Sequence, residues 1–153
     1  MKKRNVYIIA GPNGAGKLVL EQIHNLANKG VDFAFETTLS GKTYVNFFKH
    51  LKMKGYHLHL FFLWIPNTEL ALGRIRERVS EGGHDVPAGD VRRRFNRSIY
   101  NLFNIYRPLL DSWMLFNNSG SKPIPIIKAK KNNLTIINKN LFEKIVKHSE
   151  AKL

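Results

Sequence analysis

A chain of 153 residues, 43% hydrophobic and 11% aromatic, is long enough for one packed domain and too apolar for global disorder. It has no cysteine, which excludes a disulfide framework and a thiolate metal centre and suits a reducing, cytoplasmic setting. Twenty-five Lys and Arg against eleven Asp and Glu leave a formal charge of +14, so an anionic partner is expected. Nucleotides, nucleotide-sugars and nucleic acids all meet that expectation, and charge alone does not choose among them.

The basic N-terminus leads into an apolar run of about five residues that meets a glycine loop, too short for a signal peptide. The longest apolar run, Leu58 to Ile65, has the length of a strand and falls far short of the roughly 20 residues of a membrane span. In chain order, Asn5 to Ala10 predicts a buried strand, and a helix follows from about Gly16 to Lys29 with Gly30 as its stop. Asp32 to Thr38 predicts a second strand, and Lys42 to Lys54 a helix ending before Gly55. A third strand covers His57 to Ile65. Asn67 or Thr68 then caps a helix reaching Glu81. Beyond Gly82-Gly83 a further helix spans about Ala88 to Tyr106, a fourth strand follows near Trp113 to Ser119, and a hairpin-like region precedes a helix from Lys139 to Glu150. Strand and helix alternate, which predicts an α/β fold with a mostly parallel sheet in one domain.

The motif that carries chemistry is Gly11-Pro12-Asn13-Gly14-Ala15-Gly16-Lys17, of the form G-x-x-x-x-G-K, set between an apolar strand and an amphipathic helix. Glycines permit the backbone turns that aim successive N–H groups at an anion, and the helix N-terminus adds partial positive charge. Lys17 is placed to bind β- and γ-phosphates. The hydroxyl that normally follows the lysine and holds Mg²⁺ is absent, because residue 18 is leucine.

Six runs in order, "IIAGPNGAGK", "DFAFETTLSGK", "GYHLHLFFLWIPN", "RIRERVSEGGHDVP", "VRRRFNRSIYNLF" and "YRPLLDSWMLFNNSG", resemble the zeta-toxin-like P-loop kinase family over most of the chain. The resemblance implies a P-loop NTPase, nucleoside-kinase-like three-layer fold, with ATP or GTP as cofactor. It also implies transfer of phosphate to a small hydroxylated acceptor such as a UDP-N-acetylsugar, and an antitoxin protein as a partner. It places Glu36 and Thr38 at the acceptor site. Arg78, with Arg74 one helical turn earlier, leads into a lid-like segment at about residues 80–92, where His84 is a substrate contact. Arginines there could neutralise charge on the transferred phosphoryl group, and Arg78 lies nearer the lid. One of Arg92, Arg93 and Arg94 could reach phosphate. His57 and His59 share a strand face, a spacing open to metal but commoner for structural histidines, and no protein metal site is expected.

The departures from the family matter as much. Relatives read G-K-[ST]-T, continue a helix and add a strand ending in N-A-D before the helix that precedes "FAFETT"; here Lys17 joins directly to a segment like that later helix. A helix–strand segment is therefore missing, and with it the Mg²⁺-ligating hydroxyl and the general-base aspartate. The remaining crossover from Asn5 to Thr38, about 34 residues, still satisfies a β–helix–β unit. The sheet is expected to close without the lost edge strand, leaving the Glu36 strand as a new edge. Two functions compete: a nucleotide-binding phosphotransferase with impaired catalysis, and a non-enzymatic basic domain, either a nucleotide-binding remnant or a nucleic-acid binder. Aromatics interleaved with basic residues on a sheet would favour the nucleic-acid reading. Because the aromatics fall in apolar strands and helices, only weak, non-specific nucleic-acid binding is expected.

Overall fold

The computed structural model describes residues 3–12 and 19–150. Its order is β1 (Arg4–Ala10), α1 (Val19–Lys29), β2 (Phe33–Thr37), α2 (Thr43–Met53), β3 (Tyr56–Trp64), α3 (Thr68–Ser80), α4 (Ala88–Asn101), β4 (Ser112–Asn117), β5 (Ile124–Lys130), β6 (Asn133–Ile136) and α5 (Lys139–Ser149). The expected helix to Tyr106 is interrupted: α4 gives way to a π turn, Leu102–Tyr106, and a short 3₁₀ turn, Arg107–Leu109.

Glycine ends the first two helices as the sequence predicts. Gly30 and Gly55 have φ of +68° and +80°, left-handed values that side chains avoid. At the start of α3, the Asn67 side chain accepts the Leu70 N–H at 2.9 Å, and Asn138 does the same for Leu141 at the start of α5.

The six strands form one sheet in the order β2-β1-β3-β4-β5-β6. The first four pair in parallel, and the β4–β5 and β5–β6 pairings are antiparallel. The strand carrying Glu36 lies at the edge beside β1, where the sequence places it. Alternation decides what each strand buries. Val6, Ile8 and Ala10 of β1, Phe33 and Phe35 of β2, Leu58, Leu60 and Phe62 of β3, and Trp113 and Leu115 of β4 share one face. They form the main core with Ile23 and Ala27 of α1, Phe47, Phe48 and Leu51 of α2, Ile99 of α4, Leu102, Phe103 and Tyr106 of the π turn, and Phe142 and Ile145 of α5.

The other face carries Tyr7, Ile9, Phe61, Leu63, Met114 and Phe116, none of which belongs to a buried cluster among the described residues. Tyr7 and Ile9 are 41% and 38% exposed. Of the layers flanking a doubly covered sheet, α1, α2, α4 and α5 bank against one face. A second, smaller cluster of Ile65, Ala71, Ile75 and Val91 joins α3 to α4.

Candidate functional site

The chain leaves β1 toward β2 on one side and returns to β3 on the other, so the carboxyl ends of β1 and β3 mark the topological switch point, where open α/β sheets bind ligands. A small cleft of about 110 Å³ opens there. Gly11 and Pro12 form its floor, Glu36 borders it from β2, Arg74 from α3, and Asn118 from the segment after β4.

Gly11 is required by close approach rather than by φ. A Cβ there would lie 2.9 Å from the Leu63 carbonyl oxygen, so the loop presses on the end of β3. Its N–H donates to the Thr37 carbonyl at 3.3 Å, tying the loop to both neighbouring strands. Asn13, Gly14, Ala15, Gly16, Lys17 and Leu18, the rest of the motif and the position of the missing hydroxyl, lie outside the described residues.

Arg74 is half-buried and donates to the Asn118 carbonyl at 2.7 Å. That bond fixes its guanidinium beside the cleft with donors to spare. Arg78, favoured by its nearness to the lid, does not border this cleft. It donates to the His84 carbonyl at 2.9 Å, and the Gly83 N–H donates to the Arg78 carbonyl at 2.7 Å. Arg78 thus holds the α3–α4 turn folded back on its own helix, with the His84 side chain exposed. Arg92 and Arg93 are exposed, and Arg93 pairs with Asp90 at 2.7 Å.

Glu36 is exposed at the β2 edge, in register with Ile9. The Thr38 hydroxyl lies 2.7 Å from that of Ser40. The loop they share is held firmly. Leu39 is buried with φ of +53°, its N–H donates to the Thr37 hydroxyl, and its carbonyl accepts the Asn101 amide at 2.7 Å. The Tyr106 hydroxyl donates to the Gly41 carbonyl at 2.7 Å, and burial pushes that phenol up to about 12. Asn101 closes α4 and Tyr106 closes the π turn, so the two anchors bracket the segment that departs from a plain helix.

His57 and His59 are structural. His59 lies between Ser112 and Asn5, 2.7 and 3.1 Å from its two ring nitrogens. Burial holds its imidazole below the ordinary value, opposed by Asp111 and aided by the nearby positive groups of His57, Lys130 and Lys52. Among the described residues, no group of three or more His, Asp or Glu side chains is arranged to hold a metal ion. Glu36 is the cleft's carboxylate, and one carboxylate with phosphate oxygens and water matches how Mg²⁺ is commonly bound.

Sequence reasoning ranked Arg74 below Arg78 and did not name Asn118. The available signal was positional, since Asn118 follows the carboxyl end of a parallel strand and Arg74 lies on the half of α3 that faces it.

No family model matches the chain. It is 32% identical over 81 residues to an uncharacterized protein of Haemophilus influenzae, a match covering 53% of this chain and 58% of that one. Among solved structures, it resembles a chain from the crystal structure of AvrRxo1-ORF1:AvrRxo1-ORF2 with sulphate ions, with TM-score 0.69 and 14% identity over 94% of this chain and 63% of the other. It also resembles a chain of the native complex of the same pair, with TM-score 0.62 and 22% identity over 76% and 37%. A third match, from the PezAT chromosomal toxin–antitoxin system of Streptococcus pneumoniae, has TM-score 0.52 and 15% identity over 84% and 58%. The chain therefore spans less than two thirds of the length of each of these proteins. Over most of its own length it shares the α/β fold of these structures, with a mostly parallel six-stranded sheet. No helix among the described residues is long and apolar enough to cross a membrane.

Proposed function

We propose that the chain binds the triphosphate of ATP or GTP on the Gly11–Lys17 loop and presents it to a small hydroxylated acceptor of the nucleotide-sugar class held near Glu36 and Thr38. The observation that carries this reading is the convergence of Gly11, Glu36 and Arg74 on one cleft at the switch point. Backbone N–H groups and Lys17 neutralise phosphate, Arg74 adds charge where a transferred group would develop it, and the anchored 38–41 loop keeps the acceptor side in place. Mg²⁺, when bound, would neutralise phosphate charge, and Glu36 is a carboxylate that borders the cleft. Arg78 and His84 are assigned to shaping the lid-like turn. An antitoxin-like partner, as in the toxin–antitoxin system that supplies one of the fold's neighbours, belongs to the same reading.

Catalysis is weak in this proposal because Leu18 offers no oxygen to the metal and the aspartate expected to orient the acceptor is missing. The Leu18→Ser variant tests it. Mg²⁺ should strengthen ATP binding to the variant at least threefold more than it does for the parent, since one hard ligand is restored, while turnover stays slow. Rapid Mg²⁺-dependent phosphorylation of a UDP-sugar by the unaltered chain would overturn the impairment.

A further inference from the structure

The sheet face that no buried cluster among the described residues covers is built differently from the cleft. Register aligns Ile9, Phe61, Met114 and Lys128 in one row across β1, β3, β4 and β5, and Tyr7, His59, Ser112 and Lys130 in the row beside it. Tyr7 stacks on His59 with ring centroids 5.3 Å apart, and Phe61 lies 6.4 Å from Phe116. Tyr7, His59, Phe61, Met114, Lys128 and Thr135 line an open trough on this face. Aromatic rings thus stand on the neighbouring strands β1 and β3, with exposed ammonium groups on β5.

We infer that this face binds single-stranded nucleic acid, with unpaired bases stacked on Tyr7 and Phe61 and the phosphate backbone running along Lys128 and Lys130. Aromatic platforms edged by basic residues are how sheets hold unpaired strands, because every base has a π-face and every nucleotide a phosphate. Lys128 stands two strands from Phe61, about 10 Å away at ordinary strand spacing. A lysine side chain at that distance meets the backbone of a base stacked over the centre. Charge also selects the occupant. A second copy of the chain would bring another +14 against this one, whereas a polyanion releases counterions on binding. Glu36 at the opposite flank directs the strand toward β5. The inference does not rest on the nucleotide cleft: Tyr7, Phe61, Lys128 and Lys130 carry it and none of them lines the cleft, while Ile9 and Glu36 mark where the two adjoin.

Fluorescence anisotropy with labelled ten-nucleotide RNA and DNA oligomers, single-stranded and as duplexes, tests it at physiological salt. Single strands should bind at least tenfold more tightly than duplexes, since stacking needs unpaired bases. Tyr7→Ala, at an exposed position, should weaken binding about tenfold, and Lys128→Glu at least fivefold. Lys144→Glu, an equal charge change on exposed α5, should cost less than twofold, and Lys17→Ala and added ATP should leave binding unaltered. Several results would overturn the inference: equal loss from Lys128→Glu and Lys144→Glu, no effect of Tyr7→Ala, displacement by ATP, or no binding. So would sedimentation showing a dimer abolished by Tyr7→Ala with no oligonucleotide bound, which would assign the face to a second copy.

Discussion

Lys17→Ala lowers ATP affinity at least tenfold while leaving the unfolding midpoint within a degree or two of the parent. In the proposed reading the motif lysine pairs with a phosphate, and a charge-assisted hydrogen bond of that kind is worth about 1.5–3 kcal/mol. The loop's backbone N–H groups remain, so binding weakens without vanishing. Isothermal calorimetry on both proteins reads the difference. Equal affinities would remove the loop from the functional account.

Asp111→Ala costs about 2 kcal/mol of stability, for reasons lodged at the other end of the sheet. Asp111 precedes β4, and its carboxylate accepts two contacts of 2.7 Å from Lys52 of α2 and the Leu58 N–H of β3 at 2.8 Å. Its backbone N–H donates to the Leu58 carbonyl at 2.9 Å, and its carbonyl accepts from Lys131 at the β5–β6 turn. One side chain therefore joins a helix and two parallel strands, and its removal strands the Leu58 N–H.

Burial alone would raise the Asp111 pKa, but the hydrogen bonds from Lys52 and the Leu58 N–H, with the charges of Lys52 and His57, hold it below the ordinary 3.8. A carboxylate depressed in the folded state binds fewer protons there than in the unfolded state, so stability rises with pH through its titration. The contribution is complete above the ordinary value and is lost as pH falls from about 3.8 through the lower folded value. Urea unfolding at pH 7 and at about pH 2.5 should thus show the gap between parent and variant shrinking in acid. A gap that stays constant with pH would mean that packing, not the carboxylate, carries the effect.

Much of this architecture is legible in the residues themselves. Caps and stops at Asn67, Gly30 and Gly55, and the apolar periodicity of "HLHLFFLW", mark elements whose local preferences agree with their final setting. The edge position of β2 follows from the resemblance, which implies that the strand beyond it is missing, while the crossover length only allows β2 to lie beside β1. The bare sheet face is not legible, because β1 and β3 are apolar at nearly every position, a pattern that normally means burial on both faces. Only assembly shows that α1, α2, α4 and α5 all serve the same side. The aromatics of those strands therefore divide into core, such as Phe62, and surface, such as Tyr7, a division that composition conceals.

The cleft was half legible. Gly11 and Glu36 declare themselves through the motif and the strand end. Arg74 and Arg78 are equivalent in sequence, four residues apart on one helix. Tertiary bonds separate them: Asn118 draws Arg74 to the strand ends, while the turn at Gly83 and His84 occupies Arg78.

The central claim, a triphosphate site at the end of β1, is tested most directly by calorimetric titration of the unaltered 153-residue chain with ATP, with and without Mg²⁺. The account predicts saturable binding of one nucleotide per chain in both conditions, with Mg²⁺ changing the affinity by less than about threefold because residue 18 supplies no metal ligand. Absence of binding at about 1 mM ATP, a ligand free energy weaker than about −4 kcal/mol, would contradict it.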